Sequence, residues 1–164
     1  MKYLSILVIA TFFLSYQGNA KNNMNAPVTK RISNPSDTLK VTHKDMTLFL
    51  IRKKYKGEKL DITAKELLKG SEPTYTLEKA YVTHQGNTID LACSNIYNPW
   101  VGEQINEGTK RRISFIEKKS GETIIYAVFS TAADIYAVEW SVKGNTGSRL
   151  EMSNSSKFLN KYNH

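Results

Sequence analysis

Residues 75–95 read YTLEKAYVTHQGNTIDLACSN, and this segment is the strongest indication of the fold in the sequence. Two runs rich in β-branched and aromatic side chains flank a short polar segment, which is typical of two strands joined by a tight turn. Gly86 and Asn87 supply the positive φ angles that a two-residue hairpin loop requires. The stretch therefore predicts an antiparallel β-hairpin.

The hairpin also tests whether the single cysteine could act with a nearby histidine. A Gly86-Asn87 loop pairs His84 with Ile89 and Ala80 with Cys93, so both side chains lie on the apolar face. Four residues of strand still separate them, or about 13 Å along the strand. A nucleophile and its base need contact at about 3 Å. The sequence therefore favours Cys93 as a buried small hydrophobic residue.

The rest of the chain repeats the alternating pattern and supports a mainly β fold. Only one short helix is predicted, from a Thr63–Glu66 capping box to Gly70. Further strands are predicted at 38–43, 46–55, 111–118, 123–130, 135–142 and 148–153. We expect a single-domain antiparallel sandwich or a partly open barrel. An α+β sheet with the helix on one face is the alternative.

The first twenty residues have the layout of a cleavable secretory signal peptide. Lys2 provides the positive start, residues 3–14 are apolar, and small residues lead to a predicted cut after Ala20. The apolar run is shorter than the roughly 20 residues of a membrane span. We therefore expect an exported protein, periplasmic or secreted, with no stable membrane span after cleavage.

The domain boundaries follow from composition. Residues 21–37 contain two prolines and few large apolar side chains, which predicts a flexible lead-in. Residues 38–152 form the predicted β-rich domain. Residues 153–164 are polar, and we expect this tail to fray.

Charge and cysteine content limit the partners. The chain has 23 Lys and Arg against 15 Asp and Glu, a net charge of +8, and loss of Lys2 with the signal leaves +7. Its one cysteine cannot form an intrachain disulfide. For an exported basic protein we expect no nucleic-acid partner. A solvated surface is the favoured explanation of the basic residues, and contact with an acidic protein, an anionic glycan or a lipid head group is the alternative.

Catalytic motifs are missing from the sequence. It has no His-Glu-x-x-His, no Gly-x-Ser-x-Gly and no phosphate-binding glycine loop. Three scattered histidines and one cysteine make a poor metal-ligand set, so we expect no metal and no cofactor. Asp90, Glu103 and Glu107 could supply a carboxylate pair for glycoside hydrolysis, which is the least favoured reading.

The segment 96–109, IYNPWVGEQINEGT, is a long predicted loop. Loops of this length are uncommon in compact domains and often functional. Aromatic, amide and carboxylate groups together suit a protein interface. The candidate binding residues are Tyr97, Asn98, Trp100, Glu103 and Gln104. In the alternative, Tyr97 and Trp100 fold back and close the end of the sandwich.

The expected function is therefore that of an exported, non-catalytic, β-rich binding protein. Its concrete form is an inhibitor or immunity-type protein that occludes a protein partner with the 96–109 loop. A small-ligand or glycan-binding protein is the alternative, and a hydrolase using acidic residues is the third reading.

Overall fold

The computed structural model describes residues 37–69, 71–100, 105–130 and 135–162, and these fold into two antiparallel four-stranded sheets. The first sheet has the order β1-β2-β3-β4 and the second β5-β6-β7-β8, so each is a simple meander. The strands are β1 (Thr38–His43), β2 (Met46–Lys54), β3 (Tyr75–His84), β4 (Asn87–Leu91), β5 (Ile113–Glu117), β6 (Glu122–Ser130), β7 (Ile135–Lys143) and β8 (Thr146–Ser153). The predicted mainly β, sandwich-type fold is confirmed.

One apolar cluster joins the inner faces of the two sheets. Leu48, Leu50 and Val82 of the first sheet are fully buried, as are Ile125 and Trp140 of the second. Alternate positions of each strand supply these residues, because side chains point to opposite faces in turn. The core therefore explains why the period-two pattern runs through most of the sequence.

The hairpin between β3 and β4 forms, but its loop is one residue earlier than predicted. The turn residues are Gln85 and Gly86, with φ angles of 50° and 79°. His84 consequently pairs with Asn87, which the prediction had placed in the loop. The pairing shifts by two residues, and an even shift keeps every side chain on its predicted face.

Cys93 lies outside β4, in the segment that follows the hairpin. Its side chain is half-buried against the core, and its Sγ donates to the Glu78 carbonyl at 3.5 Å. His84 lies at the other end of β3, where its Nε2 is 2.9 Å from the Asp45 carboxylate. The two side chains have separate partners, and a cysteine–histidine dyad is not formed.

Short helices differ from the prediction more than the strands do. The predicted helix is α1 (Ile62–Leu67), which begins one residue before Thr63, its predicted cap. Within the described ranges there are two others, α2 (Glu107–Lys110) and α3 (Ser156–Leu159). In each of these two, the side chain of the preceding Asn or Ser accepts from a first-turn amide, as N-caps do.

Residues 156–162 of the predicted tail fold against the second sheet, so the expectation that this part frays is wrong. Phe158 of α3 is 4% exposed and packs on Tyr126, whose hydroxyl donates to the Phe158 carbonyl at 2.8 Å. Lys161 binds the buried carboxylate of Glu139 at 2.5 Å. The polar composition of this segment gave no indication that Phe158 is buried or that Lys161 pairs with Glu139.

Residues 92–97 bridge the two sheets after the hairpin. The indole N–H of Trp140 in β7 donates to the Ala92 carbonyl at 2.8 Å. The Tyr136 hydroxyl accepts from the Tyr97 amide at 2.9 Å and donates to the Tyr97 carbonyl. Hydrogen bonds across the interface therefore complement the shared apolar core.

The predicted signal peptide and nearly all of the predicted lead-in lie outside the described residues. Across the ranges that the structure describes, no helix has the length and apolar character of a membrane span.

Candidate functional site

Tyr97 and Asn98 hold the segment after the hairpin against β3. Tyr97 is 8% exposed and forms an isolated β-bridge with Thr76. Asn98 has a φ of 44°, and its side-chain oxygen accepts from the amides of Thr74 and Tyr75 at 2.9 and 3.0 Å. Burial, reinforced by the charge of nearby acidic groups, raises the pKa of the Tyr97 phenol. Tyr97 and Asn98 therefore both stabilise the fold of this segment.

Trp100 is 3% exposed and packs on a buried arginine. The Arg52 guanidinium lies 3.9 Å from the Tyr75 ring centroid and 4.7 Å from that of Trp100. It also donates to the Trp100 carbonyl at 3.0 Å and contacts the Asp37 carboxylate at 3.3 Å. Stacking and pairing satisfy a charge that would be costly to bury alone. The Trp100 ring therefore closes the core at this position.

The acidic residues considered for a hydrolytic pair do not come together in the described part of the chain. Glu103 and Gln104 lie outside the described residues, so their part stays a prediction. Asp90 is on the outer face of edge strand β4, whereas Glu107 is in α2, which packs near the opposite edge strand β1. Three strand spacings amount to about 14 Å, too far for a hydrolytic carboxylate pair.

Glu107 has a nearer partner that fixes its charge. Its carboxylate lies 2.6 Å from the Lys110 ammonium. This hydrogen bond, together with the charge of the lysine, holds the pKa of the Glu107 carboxyl below its usual range. A general acid needs a raised pKa at neutral pH, so Glu107 is set up as an ionised surface carboxylate.

The outer face of the first sheet carries an ordered set of side chains that we call the aromatic–threonine face. Because inner and outer positions alternate, the register aligns its side chains in rows across the strands. One row contains Lys40, Phe49, Tyr81 and Asp90; the next contains Thr42, Thr47, Thr83 and Thr88; Lys79 lies beside Tyr81. The threonine row spans all four strands.

An aromatic pair forms the centre of this face. The rings of Phe49 and Tyr81 stack with their centroids 4.8 Å apart and their planes 8° from parallel. Both side chains are half-buried, in the middle of a face that no described helix covers. Cross-strand aromatic pairs stabilise a sheet, which is the structural explanation for this pair. They also provide rigid, partly apolar area for contact.

Two lysines cover the aromatic pair on its outer sides. The Lys40 ammonium lies 5.6 Å from the Phe49 ring centroid and the Lys79 ammonium 4.9 Å from that of Tyr81. Rings stacked at 4.8 Å leave no space between them, so the ammonium groups occupy the remaining ring faces. Both lysines are exposed at their strand positions. Positive charge is thus held directly beside the apolar centre.

The hairpin-loop end of the first sheet has a separate cluster of charges. The His43 imidazole is 3.5 Å from the Glu117 carboxylate, and Lys44 is 2.7 Å from the same group. These contacts join β1 to β5. The hydrogen bond from Lys44 is the main reason that the pKa of Glu117 is lowered. No three metal-ligating side chains converge here or elsewhere in the described ranges.

The aromatic–threonine face could have been found in the sequence from the predicted strands. The hairpin pattern already puts Tyr81 and Thr83 on the face opposite the core. Extending the same alternation to Thr47 and Phe49 gives the second strand of the face. The sequence alone did not predict the pairing register that aligns Phe49 with Tyr81.

Together the fold and the face define a β-sandwich-like domain with an open, aromatic and basic sheet surface. No protein-family model matches the chain, and no curated protein or solved structure matches it either.

Proposed function

We propose that this chain is an exported, non-catalytic binding protein that contacts an acidic protein partner through the aromatic–threonine face. The stacked Phe49–Tyr81 pair between two lysines is the observation that carries the proposal. Flat sheet surfaces suit extended partners, and aromatic residues are enriched where protein interfaces form. The mechanism is occlusion, in which the rigid sheet covers part of the partner's surface.

The disposition of the rings favours a protein over a glycan. A sugar stacks on an open aromatic face, but the faces of Phe49 and Tyr81 are occupied by each other and by Lys40 and Lys79. The ring edges and the threonine methyl groups are what a partner would meet. These groups suit apolar and polar side chains of a protein.

The charge distribution favours an acidic partner. Lys40 and Lys79 place two positive charges beside the rings, against the single carboxylate of Asp90 in the same rows. Basic groups around an apolar centre increase the association rate with acidic surfaces and help to fix the bound orientation. The net charge, which is +7 after the predicted loss of Lys2, acts in the same direction at long range.

This proposal places the contact away from the segment that the sequence indicated. Tyr97 and Trp100 are buried, so their rings cannot meet a partner without unfolding that segment. An inhibitor or immunity-type role is retained as the specific form of the proposal, and it rests on the predicted export.

Affinity capture compares two lysine pairs. Lys40→Gln with Lys79→Gln removes charge from the aromatic–threonine face, and Lys118→Gln with Lys119→Gln removes the same charge from the exposed β5–β6 turn. Each bait is incubated with culture fluid and periplasmic extract of the producing cells. We expect the face variant to capture about tenfold less of a specific acidic protein, because charge pairs at an interface contribute strongly.

A second pair of baits tests the rings. Phe49→Thr with Tyr81→Thr retains strand-forming residues, and circular dichroism verifies the fold. Loss of the same captured protein supports the proposal. Equal capture by every variant would show that the face is not the contact surface. Binding to an immobilised sulfated polysaccharide, with no protein captured, would replace the protein partner with a glycan.

A further inference from the structure

A second candidate site lies on the outer face of the second sheet. α3 covers part of this face, and a groove of about 470 Å³ remains between α3 and the ends of β5 to β7. We call it the arginine groove. Its main lining residues are Arg111, Arg112, Val128, Ile135, Ser156 and Leu159.

Two arginines, of which Arg111 also acts on the Glu107 carboxylate through its charge, give the groove its positive character. In the described part of the chain, neither Arg111 nor Arg112 forms an ion pair with an Asp or Glu. The Arg112 guanidinium donates to the hydroxyl of Ser130, the last residue of β6, and this hydrogen bond holds the arginine at that end of the strand. Among the residues that the structure describes, none that lines the groove is acidic. Guanidinium groups are complementary to a carboxylate or phosphate.

Three partly exposed apolar side chains lie among the polar residues that line the groove. Val128 of β6 and Leu159 of α3 are half-buried, and Ile135 at the start of β7 is 49% exposed. Ile135 is one of three large apolar residues that are this exposed among the described residues. Its exposure is costly in water and would be relieved by an apolar ligand.

An inner cavity adjoins the groove. It measures about 300 Å³ and shares Arg112, Val128 and Ser130 with the groove as lining residues. Leu39 and Phe129 add apolar area to it. Cavities of this size lie at the lower end of the range for small-molecule sites, so the ligand would be small.

We propose that the arginine groove binds a small amphipathic carboxylate, independently of the contact through the aromatic–threonine face. The carboxylate is held by the guanidinium groups of Arg111 and Arg112, and the hydrocarbon chain covers Val128, Ile135 and Leu159. Burial of the chain supplies affinity, and the arginines supply selectivity for the anion.

The test is a pair of NMR titrations with sodium octanoate and its neutral isostere octanamide. We expect octanoate to shift the backbone amide signals of Val128, Ile135 and Leu159 in a saturable way. Octanamide should bind at least about tenfold more weakly, because it lacks the charge that the guanidinium groups select. Equal binding of the two probes, or shifts confined to other residues, would overturn the proposal.

Matched variants assign the binding to the two arginines. Arg111→Gln with Arg112→Gln should weaken octanoate binding at least about tenfold, since charged hydrogen bonds are the strong ones. Lys118→Gln with Lys119→Gln, which removes the same charge at the opposite end of β5, should leave it unchanged. An equal loss of octanoate binding in the arginine and lysine double variants would show a non-specific charge effect and would overturn the proposed site. Dispersed amide spectra verify that each variant is folded.

Anionic vesicles distinguish a free carboxylate from a lipid surface. Arginine-dependent co-sedimentation with phosphatidylglycerol vesicles, without any octanoate shift, would overturn the free-ligand proposal in favour of a membrane head group. Phe49→Thr with Tyr81→Thr should keep octanoate binding. A result against octanoate binding in the groove would therefore leave the proposed protein contact unaffected. A result against the protein contact would likewise leave the groove proposal unaffected.

Discussion

At the scale of single residues, Tyr136 has the most consequential polar contact between the sheets. Its hydroxyl is fully buried and satisfies both backbone groups of Tyr97. Burial strongly raises the pKa of this phenol. The segment that follows the hairpin is consequently fixed by a side chain from the opposite sheet.

Tyr136→Phe removes that hydroxyl and keeps the ring. We expect the free energy of unfolding to fall by about 2 kcal/mol, because the amide and carbonyl of Tyr97 lose their buried partner. Urea unfolding followed by tryptophan fluorescence measures the change. A variant as stable as the unmodified protein would show that water replaces the hydroxyl at no cost. Tyr81→Phe, which removes a half-exposed hydroxyl on the outer face, is the control.

At the scale of elements, the C-terminal segment acts as a clamp on the second sheet. Lys161 and the hydroxyl of Tyr162 both contact the Glu139 carboxylate, which is 3% exposed as a residue. The hydrogen bond to Glu139 raises the pKa of Lys161, while burial is the main cause of the raised pKa of Tyr162. α3 is too short to be stable by itself, so these contacts and Phe158 hold it in place.

Lys161→Met tests the clamp and its pH dependence. We expect a loss of about 1–2 kcal/mol near neutral pH, less than for a fully buried pair because the lysine is partly exposed. A raised pKa adds stability that is complete below the unfolded-state value of about 10.4 and is lost as pH rises through the folded value. Denaturation midpoints from pH 8 to 11.5 should fall less steeply in the variant. Identical slopes would contradict this account of the clamp.

At the scale of the whole molecule, alternation of apolar side chains was enough to predict the fold class, since each sheet buries one face. The predicted hairpin register was wrong because Gln85-Gly86 and Gly86-Asn87 could both supply the turn. The folded tail was missed because a single Phe158 carries its packing. Burial of Trp100 was one of two interpretations of the sequence, which could not select it because nothing in the sequence shows that Arg52 is buried against the Trp100 ring.

The candidate site could be predicted only in part, because the contacts between its strands form only in the folded sheet. Outward positions of β3 follow from alternation, and the export signal and basic charge predict the class of partner. The neighbours of Tyr81 depend on a register set by the core and by the bulge after Ile51. The aromatic–threonine face is therefore a property of the assembled sheet.

Site-specific photocrosslinking tests the proposed contact surface most directly. A benzophenone amino acid is introduced in place of Thr83, on the aromatic–threonine face, or of Ser114, on the outer face of the second sheet. Irradiation is carried out in the extracellular or periplasmic fluid of the producing cells. Our account predicts a discrete crosslinked acidic protein from position 83 and none from position 114. Crosslinking from position 114 alone, or the same product from both positions, would contradict it.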